Sequence, residues 1–301
     1  MHQHPTSATG RLSTGIERLD ELLGGGLLPG TLTVVSGTTG IGKTQLGLHF
    51  LRAGSPQEGR GGVVFDMSSR GDAQGHTAYA RRLFDWPLAV ADPNRVPSPD
   101  EIFDRGLAAA DYLHVFDYQG RRMTRGDLDS EGWQDWQAEL ARKLTATIAF
   151  FYGNFTRGVR RVVIDGIEPV ERPSDSIQFE LFEYVYHQIL RKDHDWVARD
   201  LLRERFRAYA DAVERAAYDP RQIGCLLLYT SPEAMLDELI ERKLDEGDAL
   251  ANANTLIYLG KVREGNRLGR ALYIAKHRGS ACADEIVPYR IDAGGLQFDR
   301  A

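Results

Sequence analysis

The chain of 301 residues is 42% hydrophobic and 27% charged, as expected for a globular protein with one large core. Its 37 basic and 43 acidic residues give a formal charge of −6, which excludes a general attraction to nucleic acid or to anionic membranes. No apolar run approaches the about 18 residues that cross a bilayer, and the first residues lack a secretion signal, so we expect a cytoplasmic protein with no membrane partner.

The first predicted elements lead up to a glycine-rich turn. Residues 1–10 are polar, and we expect them to be disordered. Residues 11–23 have the pattern of a short amphipathic helix, which the three glycines at 24–26 end. The apolar segment 31–36 predicts a buried strand, and the apolar spacing over 45–52 predicts a helix.

The segment Gly37–Thr44 between this strand and helix satisfies the pattern G-x-x-x-x-G-K-[ST] in the context that the pattern requires. Glycines remove side chains where a backbone must turn tightly and approach phosphate oxygens, and successive N–H groups at a helix N-terminus form a partly positive cradle. The segment therefore predicts a phosphate-binding loop. The residues predicted to bind the nucleotide are Gly37, Thr38, Thr39, Gly40, Ile41, Gly42, Lys43, Thr44 and Gln45.

Two side chains of the loop have predicted chemical roles. Lys43 would reach the β and γ oxygens of a triphosphate as a point charge. The hydroxyl of Thr44 would be one ligand of a Mg²⁺ ion that otherwise keeps water and phosphate oxygens. The predicted cofactors are therefore ATP and Mg²⁺.

The remaining strands alternate with helical stretches, which is typical of a parallel sheet with crossover helices. Near the C-terminus the pattern changes to an antiparallel hairpin and one further strand. The fold class is therefore α/β, a mostly parallel twisted sheet flanked by helices with a C-terminal antiparallel hairpin. The predicted parallel strands are 62–68, 112–116, 160–165 and 224–230, the hairpin strands are 255–260 and 268–275, and the last strand is 287–291.

We expect one domain over residues 11–301 with two insertions, near 87–110 and 191–222. The first is rich in proline and predicts a loop leading into a short helix. Within the second, apolar residues recur at helical spacing and predict one helix over 193–220 with an apolar seam. The seam consists of Leu202, Phe206, Tyr209, Val213 and Ala216. It would pack against its own domain or dock a protein partner, and five residues do not separate these alternatives.

A second nucleotide motif follows at Arg160–Asp165, an apolar run that ends in an acid. At the carboxyl end of a strand beside the phosphate loop, Asp165 would hold Mg²⁺ directly or through a water molecule. Thr230 and Ser231, after another strand, lie where a hydroxyl could sense the γ-phosphate or simply cap the strand end. Neither cysteine has metal-ligand spacing, and we interpret Cys225 and Cys282 as buried thiols.

With these motifs in order, the chain resembles the KaiC-like branch of the RecA superfamily of P-loop ATPases. The segment Thr14–Gly26 is similar to the family's lead-in to its phosphate loop, and Lys276–Ser280 resembles its K-x-R-G-[ST] element. The resemblance implies a RecA-like P-loop NTPase fold and a homo-oligomeric ring, for example a hexamer, with ATP at each subunit interface. It also implies that Lys276 and Arg278 reach into the neighbouring subunit's site.

The spacing of this element agrees with that role. Lys276 and Arg278 alternate onto one strand face, so both charges could point together at a γ-phosphate and stabilise the charge that develops there. The structural alternative is a pair of surface charges on an edge strand.

The chain departs from the family at the predicted catalytic base. The family carries two consecutive glutamates at the end of the strand after the phosphate-loop helix, whereas Ser68 and Ser69 stand there in this chain. A serine does not accept a proton at neutral pH as a carboxylate does, and losing a general base costs on the order of 10² to 10⁴ in rate. Asp66 and Glu168 are the candidate substitutes, and we expect slow hydrolysis.

Three functions remain open at this stage. One is a ring-forming Mg²⁺-dependent ATPase, and another is a non-hydrolysing ATP switch or scaffold that docks a protein partner. The third is an accessory ATPase of DNA recombination, supported by the superfamily and by the basic residues between Lys261 and Arg278. The acidic total charge of the chain argues against the third.

Overall fold

The structure is a computed structural model that describes residues 10–68, 75–116, 130–167, 176–243 and 249–298. Three sequence predictions lie outside these residues: the disorder of residues 1–9, the role of Ser69 and the role of Glu168.

The described helices alternate with the strands through most of the chain. They are α1 (Glu17–Leu22), α2 (Lys43–Arg52), α3 (Gly54–Glu58), α4 (His76–Phe84), α5 (Pro99–Phe103), α6 (Ser130–Phe155), α7 (Ile177–Tyr184), α8 (His194–Leu202), α9 (Ala210–Arg215), α10 (Leu236–Glu241) and α11 (Ala249–Asn252). A π-helical turn continues α7 at Val185–Leu190, and 3₁₀ turns cover Arg203–Tyr209 and Pro220–Gln222. Among the described residues, no helix combines the length and apolar character that crossing a membrane requires.

Nine strands form one sheet in the order β3-β2-β4-β5-β1-β6-β7-β8-β9. The pairs from β3 to β6 are parallel, and those from β6 to β9 are antiparallel. The predicted α/β class and the C-terminal hairpin are therefore confirmed. The strands are β1 (Leu32–Gly37), β2 (Val63–Asp66), β3 (Tyr112–His114), β4 (Arg161–Ile167), β5 (Gly224–Thr230), β6 (Thr255–Glu264), β7 (Arg267–His277), β8 (Val287–Asp292) and β9 (Gly295–Phe298).

Both faces of the parallel part of the sheet are buried. Neighbouring residues of a strand point to opposite faces, so Val34 belongs to one apolar core and Val35 to the other. The first core includes the aromatic side chains of α6, such as Phe151, and the second includes Leu46 and Phe50 of α2. Helices on both faces are the usual cover of a parallel sheet, and they leave its carboxyl edge free to form a site.

The predicted helix over 193–220 is wrong as a single element. α8 ends at Leu202, Arg203 has a φ of 49°, and the chain continues as a 3₁₀ turn before α9 begins at Ala210. A positive φ at a residue with a side chain is sterically unfavourable and interrupts an α-helix. The four-three spacing therefore runs across a bend rather than along one helix.

The seam of that segment packs against its own domain, as one of the two interpretations held. Leu202 and Val213 are buried in the first core, and Phe206 and Tyr209 pack on it. Tyr209 also stacks on Phe103 of α5, with ring centroids 6.1 Å apart. Leu202 and Val213 are therefore not available for docking a partner, whereas Phe206 and Tyr209 stay partly exposed.

Two smaller predictions have mixed outcomes. The proline-rich stretch does lead into a short helix, α5, whose N-terminus Ser98 and Glu101 close with a capping box. Cys225 is a buried thiol as predicted, but Cys282 is only partly buried, so the prediction was wrong for that residue.

Candidate phosphate-binding site

The predicted phosphate loop joins the carboxyl end of β1 to the first residue of α2. Gly40 and Gly42 have φ values of 75° and 116°, which a glycine adopts without the steric cost that a side chain would add. Gly37 is needed for another reason, because a Cβ there would lie 2.3 Å from the backbone oxygen of Leu259 on β6. The glycines thus shape the turn and allow a close approach of two strands.

Lys43 lies inside the loop. Its Nζ donates hydrogen bonds to the carbonyl oxygens of Gly37 at 2.7 Å and Thr38 at 3.0 Å. Burial lowers the pKa of Lys43 to about 8, against the opposing attraction of Asp165. The ammonium group is therefore held at the centre of the turn, where an anion would relieve the cost of its burial.

The two predicted metal ligands meet in the structure. The Thr44 hydroxyl donates to Asp165 Oδ2 at 3.3 Å, although 121 residues separate them in sequence. Asp165 Oδ1 accepts a hydrogen bond of 2.7 Å from the backbone N–H of Gly166. A hydroxyl and a carboxylate are hard oxygen donors of the type that Mg²⁺ prefers.

Buried polar atoms beside the loop also fit a bound ligand. Ser36 Oγ precedes the loop and Gln45 Oε1 follows it on α2, and neither has a hydrogen-bond partner within the described residues. An unpaired buried polar group costs about 1 to 3 kcal/mol, so such atoms commonly mark a place that water or a ligand fills. The loop, the oxygen pair and these two atoms together fit a metal-bound polyphosphate.

A histidine that sequence reasoning missed connects two acids at this edge. His76, the first residue of α4, is buried between Asp165, whose Oδ2 lies 3.0 Å from Nε2, and Asp66, whose Oδ2 lies 3.4 Å from Nδ1. Burial alone would lower the pKa of His76, but the hydrogen bonds to Asp165 and Asp66 outweigh it and raise the pKa to about 10. The ring is therefore an imidazolium that neutralises part of the acidic charge.

Asp66 stands at the carboxyl end of β2, directly beside Asp165 in the parallel register. The predicted strand to residue 68 was too long, since β2 ends at Asp66, whose Oδ1 accepts the backbone N–H of Ser68 at 2.8 Å. Asp66 Oδ2 accepts the hydroxyl of Tyr112 at 2.6 Å. Burial would raise the pKa of Asp66, but the hydrogen bonds, with that of His76 the strongest, hold it well below its usual range. A carboxylate engaged in this way is a weak proton acceptor.

Thr230 and Ser231, predicted either to sense the γ-phosphate or to cap the strand, lie at the end of β5 beside the phosphate loop. The Ser231 backbone N–H donates to the carbonyl of Gly37 at 3.1 Å, and its hydroxyl contacts the Glu233 carboxylate. Thr230 is the register partner of Gly37. The Ser231 hydroxyl therefore has a carboxylate partner already.

Lys276 and Arg278 lie near the start of β1, whereas the phosphate loop follows the end of β1. His277, which lies between them, pairs with Thr255 on β6, and Thr255 pairs with Thr33 on β1. Thr33 is four residues from Gly37, which is about 13 Å along the strand. Lys276 Nζ donates to the Ala251 carbonyl at 2.7 Å. Burial, and after it the charge of Arg278, lowers the pKa of Lys276, so the two cations are close to each other.

The last two strands cover the phosphate loop from outside, which the sequence did not indicate. The hydroxyl of Tyr289 on β8 donates to the Ile41 carbonyl at 2.7 Å. A Cβ on Gly42 would lie 3.0 Å from Ile291 Cδ1 and 3.5 Å from Leu296 Cδ1. β8, β9 and the loop therefore form one packed unit.

Comparison with known proteins gives a match over the segment that contains the loop. Residues 12–73 match the model of the family described as "ATPase: KaiC". Over this segment the chain is similar to the KaiC family of ATPases.

Curated proteins also match this chain over short segments. The circadian clock oscillator protein KaiC of Prochlorococcus marinus (strain MIT 9313) is 47% identical over 53 residues, which is 18% of this chain and 11% of the relative. KaiC 1 of Synechocystis sp. (strain ATCC 27184 / PCC 6803 / Kazusa) is 41% identical over 54 residues, 18% of this chain and 10% of the relative. KaiC of Rippkaea orientalis (strain PCC 8801 / RF-1) is 30% identical over 89 residues, 30% of this chain and 16% of the relative. The match to this KaiC-like chain thus covers a small part of each relative.

Proposed function

We propose that this KaiC-like chain binds ATP together with Mg²⁺ at the carboxyl edge of β1 and β4. The observation that carries the proposal is the meeting of Thr44 and Asp165, 3.3 Å apart, beside a loop that already encloses a buried lysine. A polyphosphate would accept hydrogen bonds from the loop N–H groups and would be attracted by the positive charge of Lys43. Thr44 and Asp165 would hold the cation, whose positive charge would offset that of the phosphates.

Hydrolysis, where it occurs, would be slow. Of the two candidate bases, Asp66 is the one that the structure describes. Its oxygens already contact Ser68, Tyr112 and His76. General-base catalysis contributes on the order of 10² to 10⁴ in rate, so an engaged base favours a chain that holds ATP longer than it cleaves it. An ATP-dependent switch without hydrolysis is the second candidate function, and the same contacts of Asp66 support it.

The nucleotide would lie at an interface between copies of the chain. Lys276 and Arg278 lie at the end of the strands away from the phosphate loop of their own chain, so a γ-phosphate that they contact would belong to another copy. Such a pair would act as an arginine finger supplied by the neighbour. ATP binding and assembly into a ring, for example a hexamer, would then be coupled.

Isothermal titration calorimetry tests the nucleotide site. We expect ATP with Mg²⁺ to bind the wild-type chain with measurable heat, and Lys43→Ala to bind at least tenfold more weakly, a loss of about 1.4 kcal/mol or more. Lys192→Ala, which removes a cation that lies over the Trp196 ring, is the control and should bind as the parent does. Equal affinity of Lys43→Ala and the parent would contradict the proposed site.

Light scattering with and without ATP tests assembly. We expect growth in mass on adding ATP, and no growth for Arg278→Ala. Arg267→Ala removes an exposed arginine at the other end of β7 and should assemble normally. A monomer in both conditions would remove the ring and leave the switch.

A single-turnover assay with radiolabelled ATP tests the rate. We expect slow cleavage by the wild type and further loss in Asp66→Ala. Fast cleavage that survives Asp66→Ala and Glu168→Ala together would contradict this account of the base.

A further inference from the structure

One oxygen at the proposed metal site already has two partners. Asp165 Oδ2 accepts the Thr44 hydroxyl at 3.3 Å and lies 3.0 Å from His76 Nε2. It is also the oxygen nearest to Thr44, and therefore the one on the side where a shared cation would be held. His76 and a metal ion would accordingly compete for the same carboxylate.

The surroundings explain why a histidine is held there. Asp66 and Asp165 are register partners on adjacent parallel strands, so their carboxylates lie on the same face and repel each other unless a positive charge separates them. Both ring nitrogens of His76 face carboxylate oxygens, which accept hydrogen bonds and donate none. The ring thus donates on both sides and supplies the missing charge.

The two contacts of the ring are not equivalent. On one side, Asp66 keeps two other donors, the backbone N–H of Ser68 and the hydroxyl of Tyr112. On the other side, Asp165 would gain a cation whenever metal-bound nucleotide is present. Asp66 would therefore remain satisfied when His76 leaves Asp165.

We propose, building on the function proposed above, that His76 takes the place of the metal ion in the nucleotide-free chain. It is a positioning residue that keeps Asp66 and Asp165 together, and it must release Asp165 before that carboxylate can ligate a cation. Since His76 begins α4, its release couples the occupancy of the metal site to the position of that helix. The amount of Mg²⁺ needed for tight nucleotide binding is then set in part by this histidine.

Two substitutions separate the contacts. His76→Asn places an amide nitrogen near the former Nδ1, so it keeps the Asp66 contact and loses the Asp165 contact. His76→Gln reaches to the former Nε2 and keeps a neutral donor for Asp165. If His76 had only a structural role, both variants would be less stable than the wild type, and their Mg²⁺ requirement would be unchanged.

The experiment is a Mg²⁺ titration of the binding of ribose-labelled fluorescent ATP to the full chain. Losing a charge-assisted hydrogen bond that competes with the metal should lower the half-saturating Mg²⁺ concentration about tenfold in His76→Asn. His76→Gln should fall between His76→Asn and the wild type. His114→Ala is the matched control, since His114 contacts the Ser68 carbonyl at 2.8 Å and should keep the wild-type requirement. An unchanged requirement in His76→Asn would overturn the proposal.

A second measurement needs no nucleotide. With His76→Asn, two carboxylates face each other without a neutralising ring, so Mg²⁺ alone should raise the melting temperature of this variant and leave that of the wild type nearly constant. If the wild type binds no nucleotide while Mg²⁺ stabilises His76→Asn, the proposed function fails and the role of His76 stands. If nucleotide binds and Mg²⁺ stabilises both chains equally, the role of His76 fails and the proposed function stands.

Discussion

The hydroxyl of Tyr289 donates a hydrogen bond of 2.7 Å to the carbonyl oxygen of Ile41, which ties β8 to the middle of the phosphate loop. Both groups are buried, so neither finds water when the bond is broken. A loop held in one conformation before the ligand arrives loses less entropy on binding. The contact therefore links a strand near the end of the chain to the readiness of the loop for phosphate.

We expect Tyr289→Phe to lower the free energy of unfolding by about 1 kcal/mol, because a buried hydrogen bond contributes roughly that amount and the Ile41 carbonyl loses its partner. Nucleotide affinity should fall severalfold as well. Tyr273→Phe is the matched control, since that hydroxyl bonds to the exposed Asp284 at 2.8 Å. Urea unfolding and calorimetry measure the two effects, and equal behaviour of the two variants would show that the contact does not hold the loop.

The side chain of Arg161, at the start of β4, is fully buried and depends on Glu58 for its counter-charge. Its guanidinium donates to Glu58 from Nε at 2.9 Å and from Nη2 at 2.8 Å, and it also bonds the carbonyl of Phe50 at 2.8 Å. Removing one partner of a buried ion pair costs about 3 to 5 kcal/mol, because the other charge stays buried without compensation.

Glu58→Gln keeps the shape of the side chain and removes the charge, so we expect a loss of about 3 kcal/mol in the free energy of unfolding. Asp219→Asn breaks the exposed pair with Arg221 and should change it little, since solvent screens that pair. Urea unfolding at neutral pH compares them. A loss for Asp219→Asn as large as that for Glu58→Gln would contradict the importance of burial.

Two glycines of the phosphate loop should respond differently to alanine. A Cβ on Gly37 would lie 2.3 Å from the Leu259 carbonyl oxygen, within the backbone of β6, so Gly37→Ala should cost about 2 to 3 kcal/mol. A Cβ on Gly40 would meet nothing within 4 Å, and only its φ of 75° opposes a side chain, so Gly40→Ala should cost about 1 kcal/mol. Thermal unfolding followed by circular dichroism gives both values. A larger loss of stability in Gly40→Ala than in Gly37→Ala would mean that the backbone of β6 moves aside more easily than the turn accepts a side chain.

The sequence was sufficient where the information is local. The phosphate loop is contiguous, and the apolar runs of the parallel strands are buried on both faces, so the loop and the α/β fold class were predicted without the structure. The prediction of one helix over 193–220 failed because the apolar spacing crosses a bend at Arg203 that spacing alone does not reveal. The buried environment of the seam depends on α5 and α6, which lie far away in sequence.

The group of Asp66, His76 and Asp165 beside the loop was only half predictable. Asp165 stands out as an acid after an apolar strand, whereas His76 is one histidine at the start of an ordinary amphipathic helix. Its contact with Asp165 spans 89 residues and exists because β2 and β4 pair in a register that aligns Asp66 with Asp165. No local pattern carries that register, so no reading of the residues around position 76 identifies the contact.

The two thiols should differ in reactivity. Cys225 is buried in β5, and burial raises its pKa to about 12, so at pH 8 almost none of it is the thiolate that attacks a disulfide reagent. Cys282 is partly exposed. We therefore expect 5,5′-dithiobis(2-nitrobenzoate) to label one thiol per native chain at pH 8 and two in denaturant. Cys282→Ser should leave the native chain unlabelled, and raising the pH to 9 should not make Cys225 react, because its pKa is still higher. Rapid labelling of both thiols in the native chain would show that β5 opens far more often than a strand at the centre of the sheet should.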